Sequence, residues 1–325
     1  MGQDEAVSET TETYRRRRLL ALAVLACLVI ASVLAVRSCG AEGSAPGRGG
    51  SGDGAPAATS PGKPATLPGG GRRIFPDYRV VAFYGAPQDD ALGALGIGTP
   101  GEAAARLKKV ARPYAKRSRP VLPAFELIAT IAANAPGADG MYRTHQSDEV
   151  IGRYLRAARR AKALLLLDIQ PGRDDFLREA KRLERWLREP DVGIALDPEW
   201  HVGPEGIPGK VIGSVTAAEV NAVSAYVSAF VTDHDLPEKL FVVHQFTSSM
   251  IVGKDQLEQR LGLALTIHVD GFGDRPNKTS KYDLFTSELT RFHNGFKLFY
   301  EEDTNLMTPR QVLALRPPPD LVTYE

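Results

Sequence analysis

Cysteine is nearly missing from this chain. There are two, Cys27 and Cys39, both ahead of residue 40. The long remainder can therefore hold neither a disulfide nor a cysteine metal ligand, whatever its compartment. A surplus of one charge sign is missing too. Lys and Arg number 40 against 39 Asp and Glu, a net charge of +1, so no basic field argues for a nucleic-acid partner. No His-x-His or His-Glu-x-x-His spacing occurs, which removes the common sequence signatures of a zinc hydrolase. Long apolar runs are absent as well, with one exception.

That exception is Leu19 to Val36, uncharged and directly behind the four arginines Arg15 to Arg18. At about 1.5 Å per residue the run reaches about 27 Å, the thickness of a bilayer's hydrocarbon core. Arginines on its amino side predict a single-pass signal anchor, with residues 1–18 in the cytoplasm and the rest outside. Residues 37–72, rich in Gly, Ala, Pro and Ser, are expected to form a flexible tether, because they bury too little apolar surface to offset chain entropy. The alternative is a lipoprotein anchored at Cys39 or Cys27. Residues 73–325 remain as one globular domain.

Within that domain apolar runs alternate with amphipathic stretches. Strands are predicted at 79–84, 120–126, 163–170, 192–197, 240–245, 264–270, 296–301 and 320–324. Helices are predicted at about 99–112, 147–161, 173–188, 214–231, 249–260, 281–292 and 308–315, several opened by recognisable caps such as Thr99-Pro-Gly-Glu102. Eight strands interleaved with seven helices predict an α/β fold with a parallel sheet, a (β/α)8 TIM-like barrel lacking the last helix. A doubly wound open sheet is the competing architecture. Short returns from helix to strand and long loops after strands favour the barrel, whose enzymes build their sites at the strands' carboxyl ends.

Almost every predicted strand ends in a polar side chain: Tyr84, Glu126, Asp168 with Gln170, Asp197 with Glu199, His244 with Gln245, His268 with Asp270, Glu301 beside Glu302 and Asp303, and Tyr324. Packing alone has no use for such a row, since buried charge is costly. The stretch Gly193-Ile-Ala-Leu-Asp-Pro-Glu-Trp200 carries the sharpest signal. Alternation along a strand would put Asp197 and Glu199 on one side, where neighbouring acids push each other's pKa apart. Trp200, Phe246 and Phe272 fall near the same rim, and flat apolar rings suit the faces of sugars.

The Asp197-Pro-Glu199 ending resembles the Asp-x-Glu ending of the fourth strand in chitinase-like and lysozyme-like barrel glycosidases. That resemblance implies Glu199 as general acid and Asp197 as its partner. The chitinase-like run carries a further acid two places before the aspartate, where this sequence has Ala195. More broadly, Asp168-Ile-Gln-Pro-Gly172, Val243-His-Gln-Phe246 and His268-Val-Asp-Gly-Phe-Gly273 resemble exported actinobacterial proteins without an established activity.

The expectation is a membrane-tethered extracellular glycoside hydrolase acting on cell-wall or external polysaccharide, with no cofactor. Glu199, Asp197, Asp270 and Glu126 are the catalytic candidates. Tyr84, Asp168, Gln170, Trp200, His244, Gln245, His268, Glu301 and Tyr324 are the substrate-binding candidates. Two alternatives stand beside it. A metal-dependent hydrolase would use His244, His268, Asp168, Asp197 and Asp270, and a carbohydrate-binding barrel would have no catalysis at all.

Overall fold

The computed structural model describes residues 64–287 and 291–325. The apolar run Leu19–Val36, both cysteines and the linker up to residue 63 lie outside the described residues. Among the described residues, no helix is long and apolar enough to cross a membrane.

Eight parallel strands make the frame: β1 (Arg79–Gly85), β2 (Val121–Ala132), β3 (Leu164–Ile169), β4 (Val192–Leu196), β5 (Lys239–Gln245), β6 (Leu263–Val269), β7 (His293–Leu298) and β8 (Leu321–Tyr324). Each pairs with its neighbours in chain order, and β1 pairs with both β8 and β2. The sheet therefore closes on itself as a TIM barrel, which excludes the doubly wound alternative. Beyond the barrel β2 bends at a bulge between Ile128 and Thr130 and pairs antiparallel with the short strand Arg143–His145.

Helices cover the outside: α1 (Pro100–Ala111), α2 (Asp148–Arg160), α3 (Phe176–Arg182), α4 (Glu184–Leu187), α5 (Ala217–Asp233), α6 (Arg275–Thr286) and α7 (Pro309–Val312). Capping boxes at Thr99 with Glu102, Thr216 with Glu219 and Thr308 with Gln311 open three of them, each hydroxyl satisfying a backbone N–H that would otherwise lack a partner.

Four expectations need correction. The helix expected at 173–188 is broken at Leu183 into α3 and α4. The helix expected at 249–260 does not form. Ile251–Val252 pairs with Val215–Thr216, Gly253 turns left-handed at φ 69°, and Asn221 of α5 holds the following loop through Gln256 O and Glu258 N. The helix expected at 281–292 starts earlier, because Asp274 caps it and Pro276 fits its first turn. β7 lies about three residues before its expected span, since the Asp303 carboxylate accepts the N–H groups of Phe299 and Gly273 and ends the strand there.

Alternation along the strands sorts the core into two parts. Outward residues such as Phe125, Leu165, Ile194, Phe241, Ile267 and Phe296 pack under the helices. Inward residues build from a floor of Val80, Leu122, Leu164, Leu240 and Leu321 through Ala82, Ala124, Leu166, Ala195 and Val242. Leu67, Ile74 and Phe75 close that floor from below. The folded unit thus begins before Arg73: Leu67 sits in a turn hydrogen-bonded to Gly70 and Gly71, and Arg72 pairs with Asp235.

Candidate active site

Two residues above the inner alanines, the same alternation brings polar groups to the carboxyl end. Tyr84, Glu126, Asp168, His244, His268 and Lys297 each follow the inward row of their strand, and all are buried. Asp270 and Glu325 come just past the ends of β6 and β8, and Asp197 just past the end of β4.

His244 is the hub. Its Nδ1 lies 2.9 Å from Asp270 Oδ2 and its Nε2 lies 3.0 Å from Glu126 Oε1. Burial alone would lower the pKa of this imidazole, but its hydrogen bonds to the two carboxylates reverse the sign and hold it well above the usual histidine value. Glu126 moves the other way. Burial tends to raise it, yet the bond to His244 and that ring's charge leave it below its ordinary value. Thr323 donates to the second oxygen of Glu126 at 3.2 Å.

Asp168 faces the opposite balance. Burial, and then the negative charge of Asp197, push its carboxyl well above the usual range. Tyr84 donates to its Oδ2 at 3.1 Å, Gln170 donates to the Tyr84 hydroxyl at 2.9 Å, and the Gln170 oxygen accepts Ala132 N–H at 3.1 Å. The other oxygen, Asp168 Oδ1, is buried without a hydrogen bond and lies 4.0 Å from His244 Nε2. The remaining cation is Lys297, whose ammonium sits 3.2 Å from Asp270, 2.7 Å from Glu325 and 3.7 Å above the centre of the Tyr84 ring. Burial works against this charge, but Asp270 and Glu325 overcome it and hold the lysine protonated above its usual range. Such a cluster is tolerable in a low dielectric only because opposite charges and hydrogen bonds meet one another.

His268 stands apart. It is fully buried, neither ring nitrogen has a hydrogen bond, and burial with the neighbouring His244 pushes it down to about 3. Its ring meets that of His244 edge to face at 5.0 Å. Only a glycine fits against it, since a Cβ on Gly295 would lie 2.0 Å from His268 Nδ1.

The expected residues thus divide. Tyr84, Glu126, Asp168, Gln170, Asp197, His244, His268 and Asp270 converge. Glu199 and Trp200 lie buried on a 3-10 turn (Pro198–Trp200) that follows Asp197. That turn replaces the strand alternation expected to carry Asp197 and Glu199 side by side: β4 ends at Leu196, and the Asp197 carboxylate instead accepts the Glu199 N–H at 3.3 Å. Three candidates do not join. Tyr324 points outward and bonds the Tyr114 hydroxyl at 2.7 Å. Gln245 takes the other side of β5 and donates to Thr247 O. Glu301 is exposed, because β7 ends at Leu298.

Lys297, Glu325 and Thr323 were missed. The signal for Lys297 was a lysine two places after Gly295 and one before Leu298, in a run otherwise apolar, once β7 is set in its true register.

No family model matches the chain, and no curated protein matches it. Among solved structures it is similar to the wild-type sialic acid aldolase of Ruminococcus gnavus, with 13% sequence identity and a TM-score of 0.37, over 76% of this chain and 68% of that one. A likeness of that size carries no argument about activity.

Proposed function

We propose that this chain is a glycoside hydrolase-like enzyme whose carboxylates at the barrel mouth cleave a cell-wall or external polysaccharide by acid/base catalysis. The observation that carries the proposal is convergence. Glu126, Asp168, Asp197 and Asp270 come from four different strands to one end of the barrel, and the charge of Asp197 is felt by Asp168, Tyr84, His244 and Lys297. Barrel enzymes do their chemistry at this end, and most glycosidases use two carboxyls with different proton demands.

Glu199 and Asp197 are the acid and its partner in this proposal. Both lie on the chain that leaves β4, and both are buried, as is Trp200, which packs against Ala132. Phe246 and Phe272 pack together with Met250 and Ile212. We further propose that residues 19–36 tether the chain to the membrane with the barrel outside, the lipidated form at Cys39 or Cys27 being the other anchor.

The test is release of new reducing ends from wall polysaccharides by the purified full-length protein. Glu199→Gln should lower the rate by about 10²–10⁴, the usual contribution of a positioned acid, with the circular dichroism spectrum unchanged. Unchanged turnover in that variant would remove Glu199 from the acid's role. Saturable binding of oligosaccharides with no product from any substrate would favour the non-catalytic barrel.

A further inference from the structure

The trio at the base of the mouth has the composition and spacing of a cation site. One oxygen each from Glu126 and Asp168 and one nitrogen of His244 lie within 4.8 Å of one another, and all three residues are buried. His244 Nε2 is 3.0 Å from Glu126 Oε1 and 4.0 Å from Asp168 Oδ1. Two ligands each about 2.1 Å from a tetrahedral ion stand about 3.4 Å apart, so these edges bracket the required separation. The third edge, between the Glu126 and Asp168 oxygens, is within 4.8 Å, so closing the trio around an ion draws these two carboxylates together by up to about 1.4 Å.

Two further observations point to a ligand here rather than to acids that merely share a barrel. Asp168 Oδ1 is fully buried, makes no hydrogen bond, and lies on the His244 Nε2 side of the carboxyl. A buried carboxylate oxygen left this way is costly unless a positive centre meets it. The other observation is the far side of the imidazole. His244 Nδ1 is held by Asp270 Oδ2 at 2.9 Å, and Lys297 in turn holds that same oxygen at 3.2 Å. A carboxylate on one ring nitrogen fixes the tautomer that presents the other nitrogen to a metal, which is how metal-binding histidines are usually oriented. Tyr84, donating to Asp168 Oδ2, performs the same service for the aspartate and leaves Oδ1 to face the trio.

We propose that Glu126, Asp168 and His244 bind one divalent first-row cation, Mn²⁺ or Zn²⁺, with Asp270 and Tyr84 orienting the ligands. One imidazole and two carboxylates suit these ions and disfavour Ca²⁺, which takes six to eight oxygen ligands. The ion takes the place of the proton now shared between His244 Nε2 and Glu126 Oε1. The site stands independently of the glycosidase proposal: an ion bound without any turnover leaves it intact, and turnover without an ion leaves the other intact.

The experiment uses the untagged full-length protein, stripped with a chelator, dialysed, and titrated with MnCl₂ or ZnCl₂ by calorimetry and elemental analysis. The expected result is one ion per chain, with affinity at least tenfold weaker in Asp168→Asn and Glu126→Gln and unchanged in Asp139→Asn, on the surface. Asp270→Asn should weaken binding by about 10–100-fold, as loss of a residue supporting a ligand does. Spin-echo spectroscopy of the Mn²⁺-loaded protein should show one imidazole nitrogen coupled to the ion. That measurement needs no variant, so it decides the matter if the substituted chains fail to fold. Less than a tenth of an ion per chain, an absent nitrogen coupling, or equal affinity in Asp168→Asn would overturn the proposal.

Discussion

The two ends of the barrel both bury charge, and they satisfy it in opposite ways. At the amino end Lys239 donates to Glu189 O at 2.9 Å and Val192 O at 2.7 Å, and Arg79 donates to Pro319 O at 3.0 Å. At the carboxyl end His244, Lys297, Glu126 and Asp270 answer one another through side chains. A backbone carbonyl cannot change its charge or move far, so these side chains are held by partners that do not titrate. A charge held by other titratable groups depends on their protonation and on whatever binds among them. The difference teaches where chemistry can be sought: at the end whose partners are themselves convertible.

Substitutions at the two ends should therefore separate activity from stability. The largest effect is expected from Asp197→Asn at the mouth, with a fall in turnover of about 10²–10⁴ and a melting temperature within a few degrees of the native protein. Lys239→Met at the floor should do the reverse, leaving turnover intact and changing how stability depends on pH. Burial pushes Lys239 down to about 7. With its folded pKa below the ordinary lysine value, the unfolded chain binds more protons between about pH 7 and 10.5, and stability tied to this lysine rises with pH across that window. The stability of the native protein relative to Lys239→Met should then climb by on the order of 4 kcal/mol between pH 7 and 10, as read by urea unfolding at each pH. A flat difference would mean that the two carbonyls, rather than burial, govern its proton.

Gly295→Ala sharpens the comparison at the level of shape. A Cβ 2.0 Å from His268 Nδ1 has no room, and displacing the ring should cost about 3 kcal/mol through overpacking, checked by denaturant midpoint. Thr216→Ala, on an exposed cap away from the buried charges, serves as the mild reference. Loss of the capping box on α5 should cost about 1 kcal/mol with turnover unaffected.

The barrel was legible because its outward and inward rows are apolar over most of each strand, as in Leu164-Leu-Leu-Leu167 and Leu240-Phe-Val-Val243. Helices with a side-chain cap were legible for the same local reason. What failed was decided by distant partners. His293-Asn-Gly295 falls outside the strand expected at 296–301, although Gly295 belongs to β7 and leaves the space that His268 needs. Lys297 carries no signal of its own until Asp270 and Glu325 are brought to it. Tyr324 reads as a polar strand end at the rim, but one step of alternation hands the inward place to Glu325 and Thr323. Pro198 closed off the other inference: with β4 ending at Leu196, spacing by two no longer means sharing a face. Eight of the thirteen candidates that the sequence nominated for the site converge, because strand ends are visible from composition; which neighbours hold them is a property of the closed ring.

The turn at Leu67 has a consequence for how the molecule stands. Leu67, Ile74 and Phe75 lie against the underside of the ring, and Arg72 is fastened to Asp235 at the same level. The described chain thus enters the barrel from its floor, at the end opposite the one where Glu126, Asp168, Asp197 and Asp270 gather. A change made at the entry segment is therefore separated from those carboxylates by the whole depth of the inner core, from Leu122 through Ala124 to Glu126.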